Sequence, residues 1–487
     1  MSEPEIRLPA EGRSQSEVLA QLRQLQQHDV NWHAGKVFSL VFYAGQDVSA
    51  IAQQAYGLFF AENALNPSAF PSLRQLETEV IAMTARLLGS SGQVVGNMTS
   101  GGTESILMAV KTARDWARAS RPRVRHPEII LPATAHPAFE KAAHYFDVKA
   151  VHVPVDANFQ ADVGKLRKAI TRNTILLVGS APAYPHGVID PIPAIASLAA
   201  EHTILCHVDA CVGGFFLPFL RSLGHPVPPF DFAVPGVTSM SVDLHKYGYA
   251  AKGASVILYR TPELRRHQLF VYTDWPGGIY ASPTMTGTRP GGSIAAAWAV
   301  MHYLGQSGYE RIAAEVMRST AALRAGIAAI PGMQVVGDPV MSVLAIAHDD
   351  LDIYAIGDEM AQRGWHLDRQ QSPPSLHMTI NVVHTTSLEL FLTDLRAATA
   401  TVQAAGGRRK TALKHAGVRL AARLLPRVLI RRLARRATAG VGGASGGPER
   451  SAAMYGMMGA LPNRADLNEA VLDIVEQFTL PQDRAAE

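Results

Sequence analysis

Cysteine is nearly missing from this chain: Cys206 and Cys211 are the only two in 487 residues. Two cysteines cannot build a disulfide framework, so a reducing, cytoplasmic setting is expected. Long apolar runs are missing as well. No stretch reaches the ~18 uninterrupted apolar residues that a membrane-spanning helix needs. The opening MSEPEIRLPAEGRSQSEV is polar and carries acids, so it does not read as a signal peptide. Charged residues make up only 18% against 47% hydrophobic, which suits a folded globular chain and excludes global disorder. Acidic residues are absent from one late stretch, 408–436, which holds eleven Lys or Arg. Set aside those eleven, and the remaining 34 basic residues face 41 acidic ones, a net of −7 in place of the formal +4. The body is therefore acidic, which argues against a nucleic-acid partner.

What is present alternates. After a helical SEVLAQLRQLQQ come loops rich in aromatic, Asn and Pro residues, so residues 1–75 read as an N-terminal extension. LRQLETEVIAMTARLL has helical period, and TSGGTESILMAVKTARDWARA opens on glycines and continues as a helix. The short apolar runs EIILPA, AVHVPV, TILLVGSA, ILCHVDA and ASVILYR are separated by helical stretches such as DVGKLRKAI and PIPAIASLAAEH. That pattern predicts an α/β fold whose mostly parallel sheet is flanked by helices, over 76–305. A second set of helix, strand, helix and strand predicts a smaller C-terminal α+β domain over 306–405, which 451–487 would rejoin. Between them, 406–450 combines the basic stretch with TAGVGGASGGPER, a linker composition.

Three features carry chemistry. In TSGGTES, Gly101 and Gly102 precede a helix, where backbone N–H groups and the helix dipole favour an anion, and Ser100 and Thr103 add hydroxyls. A simple glycine turn at a helix start remains the alternative. In HVDA, Asp209 ends an apolar run, where ligands bind in open α/β sheets; it could equally be a helix cap. In SVDLHKYGYAAKG, Lys246 follows His245 among aromatics, 37 positions after Asp209. A lysine that forms a Schiff base needs desolvation or neighbouring positive charge. An anion cradle, an acid for a ring nitrogen and a lysine for an aldehyde together match pyridoxal 5'-phosphate. No metal site is expected.

The segments NMTSGGTESILMAVKTARD, APAYPHGVIDP, HVDACVGGFF, SVDLHKYGYAAKGAS and YTDWPGGIYASPTMTGTRPGG make the resemblance specific. They resemble the sphingosine-1-phosphate lyases, a branch of the fold-type-I pyridoxal-phosphate enzymes near the group II decarboxylases. The resemblance runs from about residue 35 to 400 and resumes at AAMYGMM. It implies that Lys246 forms the Schiff base, Asp209 pairs with the pyridine nitrogen, and His136 stacks on the ring. It further implies that Gly101, Gly102, Thr103 and His245 hold the cofactor phosphate, while Gly287 and Thr288 reach it from the partner of a homodimer. Lys252, Tyr43, Tyr184 and Tyr455 would line the substrate site, although each tyrosine could instead be a core or interface residue. The implied reaction is retro-aldol cleavage of a phosphorylated sphingoid base to a long-chain aldehyde and phosphoethanolamine.

One departure stands out: the family has Leu-His-Pro at the site entrance, whereas NALNPSAFPS places Asn66 where the histidine would be. Asn cannot carry charge or act as an acid, so phosphate recognition or proton transfer there would differ. Two other readings stay open, an amino-acid decarboxylase using the same cofactor site and a non-catalytic scaffold. The basic stretch places Arg419, Arg423 and Arg427 four apart, with Leu420, Leu424 and Val428 on a neighbouring face. That makes it a candidate peripheral contact with an anionic membrane, interrupted by Pro426; a solvated basic insertion is the alternative.

Overall fold

The computed structural model of the chain describes residues 8–66, 68–90 and 92–406, together with Asn468, Val471, Leu472, Val475 and Glu476. Seven strands form the main sheet: β1 (Val95–Thr99), β2 (Glu128–Pro132), β3 (Lys149–Val153), β4 (Thr174–Ser180), β5 (Leu205–Asp209), β6 (Ser239–Asp243) and β7 (Ser255–Tyr259). Their order is β1-β7-β6-β5-β4-β2-β3. Strands β2, β4, β5, β6 and β7 are buried along their whole length; β2, β4, β5 and β7 accordingly read as apolar runs, whereas β6, with the sequence SMSVD, does not. The expected mostly parallel α/β sheet is present: β6, β5, β4, β2 and β3 pair in parallel.

One strand departs from that pattern. ASVILYR becomes β7, which runs antiparallel to both β6 and β1. The β6–β7 connection, residues 244–254, contains no helix, and a parallel return needs a crossover of a dozen or more residues, usually helical. Because β7 reverses between them, β1 points the same way as the parallel strands. The carboxyl ends of β1, β2, β4, β5 and β6 therefore gather on one edge of the sheet.

The extension contains more structure than its loop-like composition suggests. Besides α1 (Gln15–Gln26) it holds a helix α2 (Gln46–Leu58), which begins at Gly45 without a side-chain cap and buries only Val48, Ala52 and Ala55. Small apolar residues give a weak periodic signal, so α2 was hidden in the sequence. It packs on a long helix, Gly291–Ala328, whose start is close enough that a Cβ on Gly292 would meet the Tyr56 ring at 2.8 Å. That long helix breaks at Gly305. Beyond a hairpin of β8 (Phe270–Tyr272) and β9 (Tyr280–Ser282) lies a second sheet of order β10-β11-β13-β12. It comprises β10 (Met333–Val335), β11 (Val343–His348), β12 (Asp368–Gln371) and β13 (Pro374–Thr379). Two of these four were legible; β10 is too short and β12 too polar to show an apolar run. LHMTINVVH stops being a strand at Thr379 and closes with a 3-10 turn, Val382–His384. Among the described residues no helix is long and apolar enough to cross a membrane.

A buried ion pair ties the TGTRPGG segment to the start of the sheet. Arg289, the arginine of TGTRPGG, bonds Glu77 of helix α3 (Pro71–Leu87), whose Oε1 also accepts the Met98 N–H of β1 at 2.9 Å. Both side chains are about nine-tenths buried (10% and 11% exposed). Removing one partner strands a buried charge, so Arg289→Leu should lose about 3 kcal/mol of stability. A urea-unfolding midpoint equal to wild type would contradict this.

Candidate active site

The carboxyl ends of the parallel strands enclose a cavity of about 380 Å³. Ser180 ends β4, Asp209 ends β5 and Asp243 ends β6, and all three line it. Sheet topology thus delivers two carboxylates to one hollow, the position where open α/β sheets bind ligands. The cavity is completed by His136 and by the start of helix α4 (Gly102–Ser120), with Gly101, Gly102 and Thr103. Helix α4 has no side-chain cap at Gly101, so its first N–H groups are left for an anion. A Cβ at Gly102 would lie 2.8 Å from Cys211 Sγ and 2.9 Å from both Asp243 carboxylate oxygens, so only glycine keeps this approach open.

Lys246 stands on the β6–β7 connection, and its Nζ lies 2.9 Å from Asp243 Oδ2. Burial opposes the ammonium charge, but Asp243, Cys211 and Asp209 together outweigh it, Asp243 most of all, and raise the Lys246 pKa above the usual lysine range. Asp243 is 2% exposed, and burial alone would favour its acid form. The Lys246 ammonium, and His245 when it is protonated, instead hold its pKa below the usual value. The aromatics around Lys246 serve as anchors. Tyr247 is fully buried; its hydroxyl donates to Ile380 O at 2.8 Å and receives the Ser342 hydroxyl at 2.6 Å. Tyr309 donates to Gly248 O at 3.0 Å. These bonds clamp the lysine loop between the two sheets.

Burial lowers the pKa of both His136 and His245. His136 Nδ1 accepts the Ala138 N–H at 3.1 Å, which leaves the proton of the neutral ring on Nε2. A second hollow, about 230 Å³, adjoins the first and shares Tyr184, Val212, His245 and Lys246 with it. Lys252 sits here, donating to Leu40 O at 3.1 Å and lying 5.5 Å over the Phe42 ring. Burial and the nearby Lys246 charge lower its pKa. Tyr184 stacks on His377 at 4.1 Å and donates to Asp368 Oδ2 at 3.3 Å. Burial and that carboxylate push its phenol well above the usual range, so it stays protonated.

Eight of the residues singled out in the sequence, Lys246, Asp209, His136, Gly101, Gly102, Thr103, His245 and Tyr184, surround the first cavity, and Lys252 lies beside it. Others are not brought there within one chain. Tyr43 packs edge-on to Trp32 at 5.5 Å and lines neither hollow. Gly287 faces the Tyr280 hydroxyl, Thr288 is exposed, and Asn66 is exposed with its Oδ1 accepting the Ser68 N–H at 2.9 Å. Tyr455 and 408–436 lie outside the described residues. Sequence reasoning missed Asp243 and Glu104. Glu104 is buried: Oε2 accepts the Ser100 N–H and hydroxyl at 2.6 and 2.7 Å, and Oε1 accepts the Met285 N–H at 2.9 Å. It thereby joins the glycine turn to the segment leading into TGTRPGG. The signal Asp243 offered in the sequence was its spacing alone, an acid three residues before the lysine.

Residues 2–347 match the model of the pyridoxal-dependent decarboxylase conserved domain. The sphingosine-1-phosphate lyase of Oryza sativa subsp. japonica is 48% identical over 408 residues, 82% of this chain and 75% of that protein. The chain belongs to the sphingosine-1-phosphate lyase family. Sphingosine-1-phosphate lyase 1 of Rattus norvegicus is 45% identical, over 80% of this chain and 69% of its own length. The solved sphingosine-1-phosphate lyase of Burkholderia pseudomallei superposes with a TM-score of 0.78 at 40% identity, covering 82% of this chain and 93% of the other. Lactobacillus brevis glutamate decarboxylase, at TM-score 0.71 and 18% identity, shares the fold.

The family's cofactor is pyridoxal 5'-phosphate, and the cavity suits it. His245 Nδ1 is buried with no hydrogen-bond partner among the described residues, beside the uncapped start of α4. An anion there would satisfy both. Lys246 and Asp209 line the same cavity and offer an amine and a carboxylate to the aldehyde and ring nitrogen. Since Asp243 is the first of the groups that raise the Lys246 pKa, Asp243→Asn should lower it. The rate at which cofactor-free protein captures pyridoxal phosphate, followed by visible absorbance, should then reach half-maximum at lower pH than in wild type. An unchanged or higher midpoint would contradict the pairing.

Proposed function

We propose that this protein cleaves the carbon–carbon bond of phosphorylated sphingoid bases, yielding a long-chain aldehyde and phosphoethanolamine. The observation that carries this reading is the identity of 40–48% to several sphingosine-1-phosphate lyases over about four-fifths of the chain. The cavity holds the residues such chemistry needs. Pyridoxal 5'-phosphate supplies the electron sink when bound. Lys246 would be its covalent anchor, and Asp209 would hold a proton at the ring nitrogen. His136 would pack against the ring, and Gly101, Gly102, Thr103 and His245 would hold the phosphate.

Lys252 offers its cation to the substrate phosphate from the adjoining hollow. Tyr184 donates to Asp368, so its oxygen can accept a hydrogen bond from the substrate hydroxyl one carbon from the amine-bearing carbon, and it takes that proton by passing its own to the Asp368 carboxylate. The loss of that proton lets the carbon–carbon bond break. Tyr43, Tyr455, Gly287 and Thr288 enter this reading through a homodimer. Its support is the apolar surface of one chain: Trp275 and Ile279 on the β8–β9 hairpin are 52% and 76% exposed, and α1 buries none of its residues. For an amphiphilic substrate, the acid-free stretch 408–436 suits contact with an anionic membrane.

The decarboxylase reading rests on a shared fold at 18% identity, and the Lys246, Asp243 and Asp209 cluster argues against an inert scaffold. Purified protein with pyridoxal phosphate should release fatty aldehyde from a phosphorylated sphingoid base, and no CO2 from glutamate or aromatic amino acids. Lys246→Ala should abolish that release. Lys252→Met should raise KM roughly tenfold, the scale of a lost charge-assisted hydrogen bond. CO2 without aldehyde would overturn the assignment.

A further inference from the structure

Behind Asp209 lies a polar chain that the proposed chemistry does not use. In the parallel pairing of β5 with β6, His207 stands opposite Ser239 and Asp209 opposite Ser241. Side chains two apart share a face, so all four project to the same side of the sheet. All four are buried, with His207 and Ser241 at 0% exposure. Ser239 Oγ lies 2.9 Å from His207 Nδ1, His207 Nε2 lies 3.2 Å from Ser241 Oγ, and Ser241 donates to Asp209 Oδ1 at 3.3 Å.

The direction of the chain follows from its end. An ionised carboxylate only accepts, so Ser241 must donate to Asp209. Its oxygen is then the acceptor for His207 Nε2–H, and Nδ1 is left to accept from Ser239. Burial pushes His207 down to about 4, so the ring carries a single proton, as one donor and one acceptor require. The Cys211 N–H also bonds Asp209 Oδ1, at 3.1 Å. Both bonds therefore fall on one oxygen, and among the described residues none is made to Oδ2.

We propose that His207 and Ser241 are positioning residues for the cofactor: the Ser239–His207–Ser241 chain fixes the rotation of the Asp209 carboxylate. It presents Oδ2 to the ring nitrogen and keeps the shared proton on the ring. This rests on the reading of Asp209 as the ring-nitrogen partner. A carboxylate free to rotate, or one sharing its proton differently, would hold the ring less tightly and change its electronic state. The chain is thus a device for proton placement, beyond the bare need to satisfy buried polar groups.

The test compares Ser241→Ala, His207→Leu and His207→Gln with wild type and with Asp209→Asn. The full-length protein loaded with pyridoxal phosphate is used. Three readouts apply: cofactor dissociation rate, visible absorbance spectrum at fixed pH, and melting temperature. Ser241→Ala and His207→Leu should release cofactor about tenfold faster, the scale of one hydrogen bond to a charged group. Their spectra should shift in the direction that Asp209→Asn shifts them. His207→Gln, which keeps a donor and an acceptor, should restore both readouts toward wild type. If His207→Leu fails to fold, Ser241→Ala, which removes a single oxygen, decides. Wild-type spectrum and release rate in Ser241→Ala, with Asp209→Asn altered, would overturn the proposal and spare the reading of Asp209. Wild-type behaviour in Asp209→Asn would overturn both.

Discussion

Asp243 ends a buried strand with 2% of its side chain exposed, a place where a lone carboxylate would be strongly disfavoured. What makes it tolerable is the Lys246 ammonium 2.9 Å away on the next turn of chain. Each charge depends on the other, and both depend on a loop that cannot drift. Tyr247 and Tyr309 secure that loop through hydrogen bonds to Ser342, Ile380 and Gly248, so the second sheet is bonded to the connection that carries the lysine. Because β7 returns antiparallel to β6, the lysine stays at the carboxyl end of β6 and is not carried away by a crossover helix.

The same edge of the sheet gathers the other chemical groups with little loop structure of their own. Asp209 and Ser180 are strand ends, and the glycine turn is the direct continuation of β1 into α4. Glu104 then fastens that turn to the segment before TGTRPGG, while Arg289 and Glu77 fasten TGTRPGG to the start of the sheet. The site is rigid because each of its walls is also a structural joint. In the adjoining second hollow, Lys252 leans on Phe42.

Much of this was legible in the sequence, for identifiable reasons. Fully buried strands leave continuous apolar runs, so β2, β4, β5 and β7 were visible along with the acid closing β5. Lys246 stood out because histidine, tyrosines and glycines surround it. Asp243 lay in the same quoted stretch and was passed over, since an acid three residues before a lysine usually belongs to a solvated pair. Only the burial of β6 shows that the pair is enclosed. Helix α2 escaped because its buried face is two alanines and a valine, too small to mark a period. His207 escaped because a histidine inside an apolar run reads as core, and its partners arrive from β6, more than thirty residues later. Tyr43, Gly287 and Thr288 lie apart from the cavity of their own chain.

The most direct measurement is chemical trapping of the cofactor. Protein loaded with pyridoxal phosphate would be reduced with borohydride, digested, and its peptides mapped by mass. The ion pair and the cavity around it predict the reduced cofactor on Lys246 and on no other lysine. Label on Lys252, or no covalent label in protein that retains the cofactor, would contradict the account.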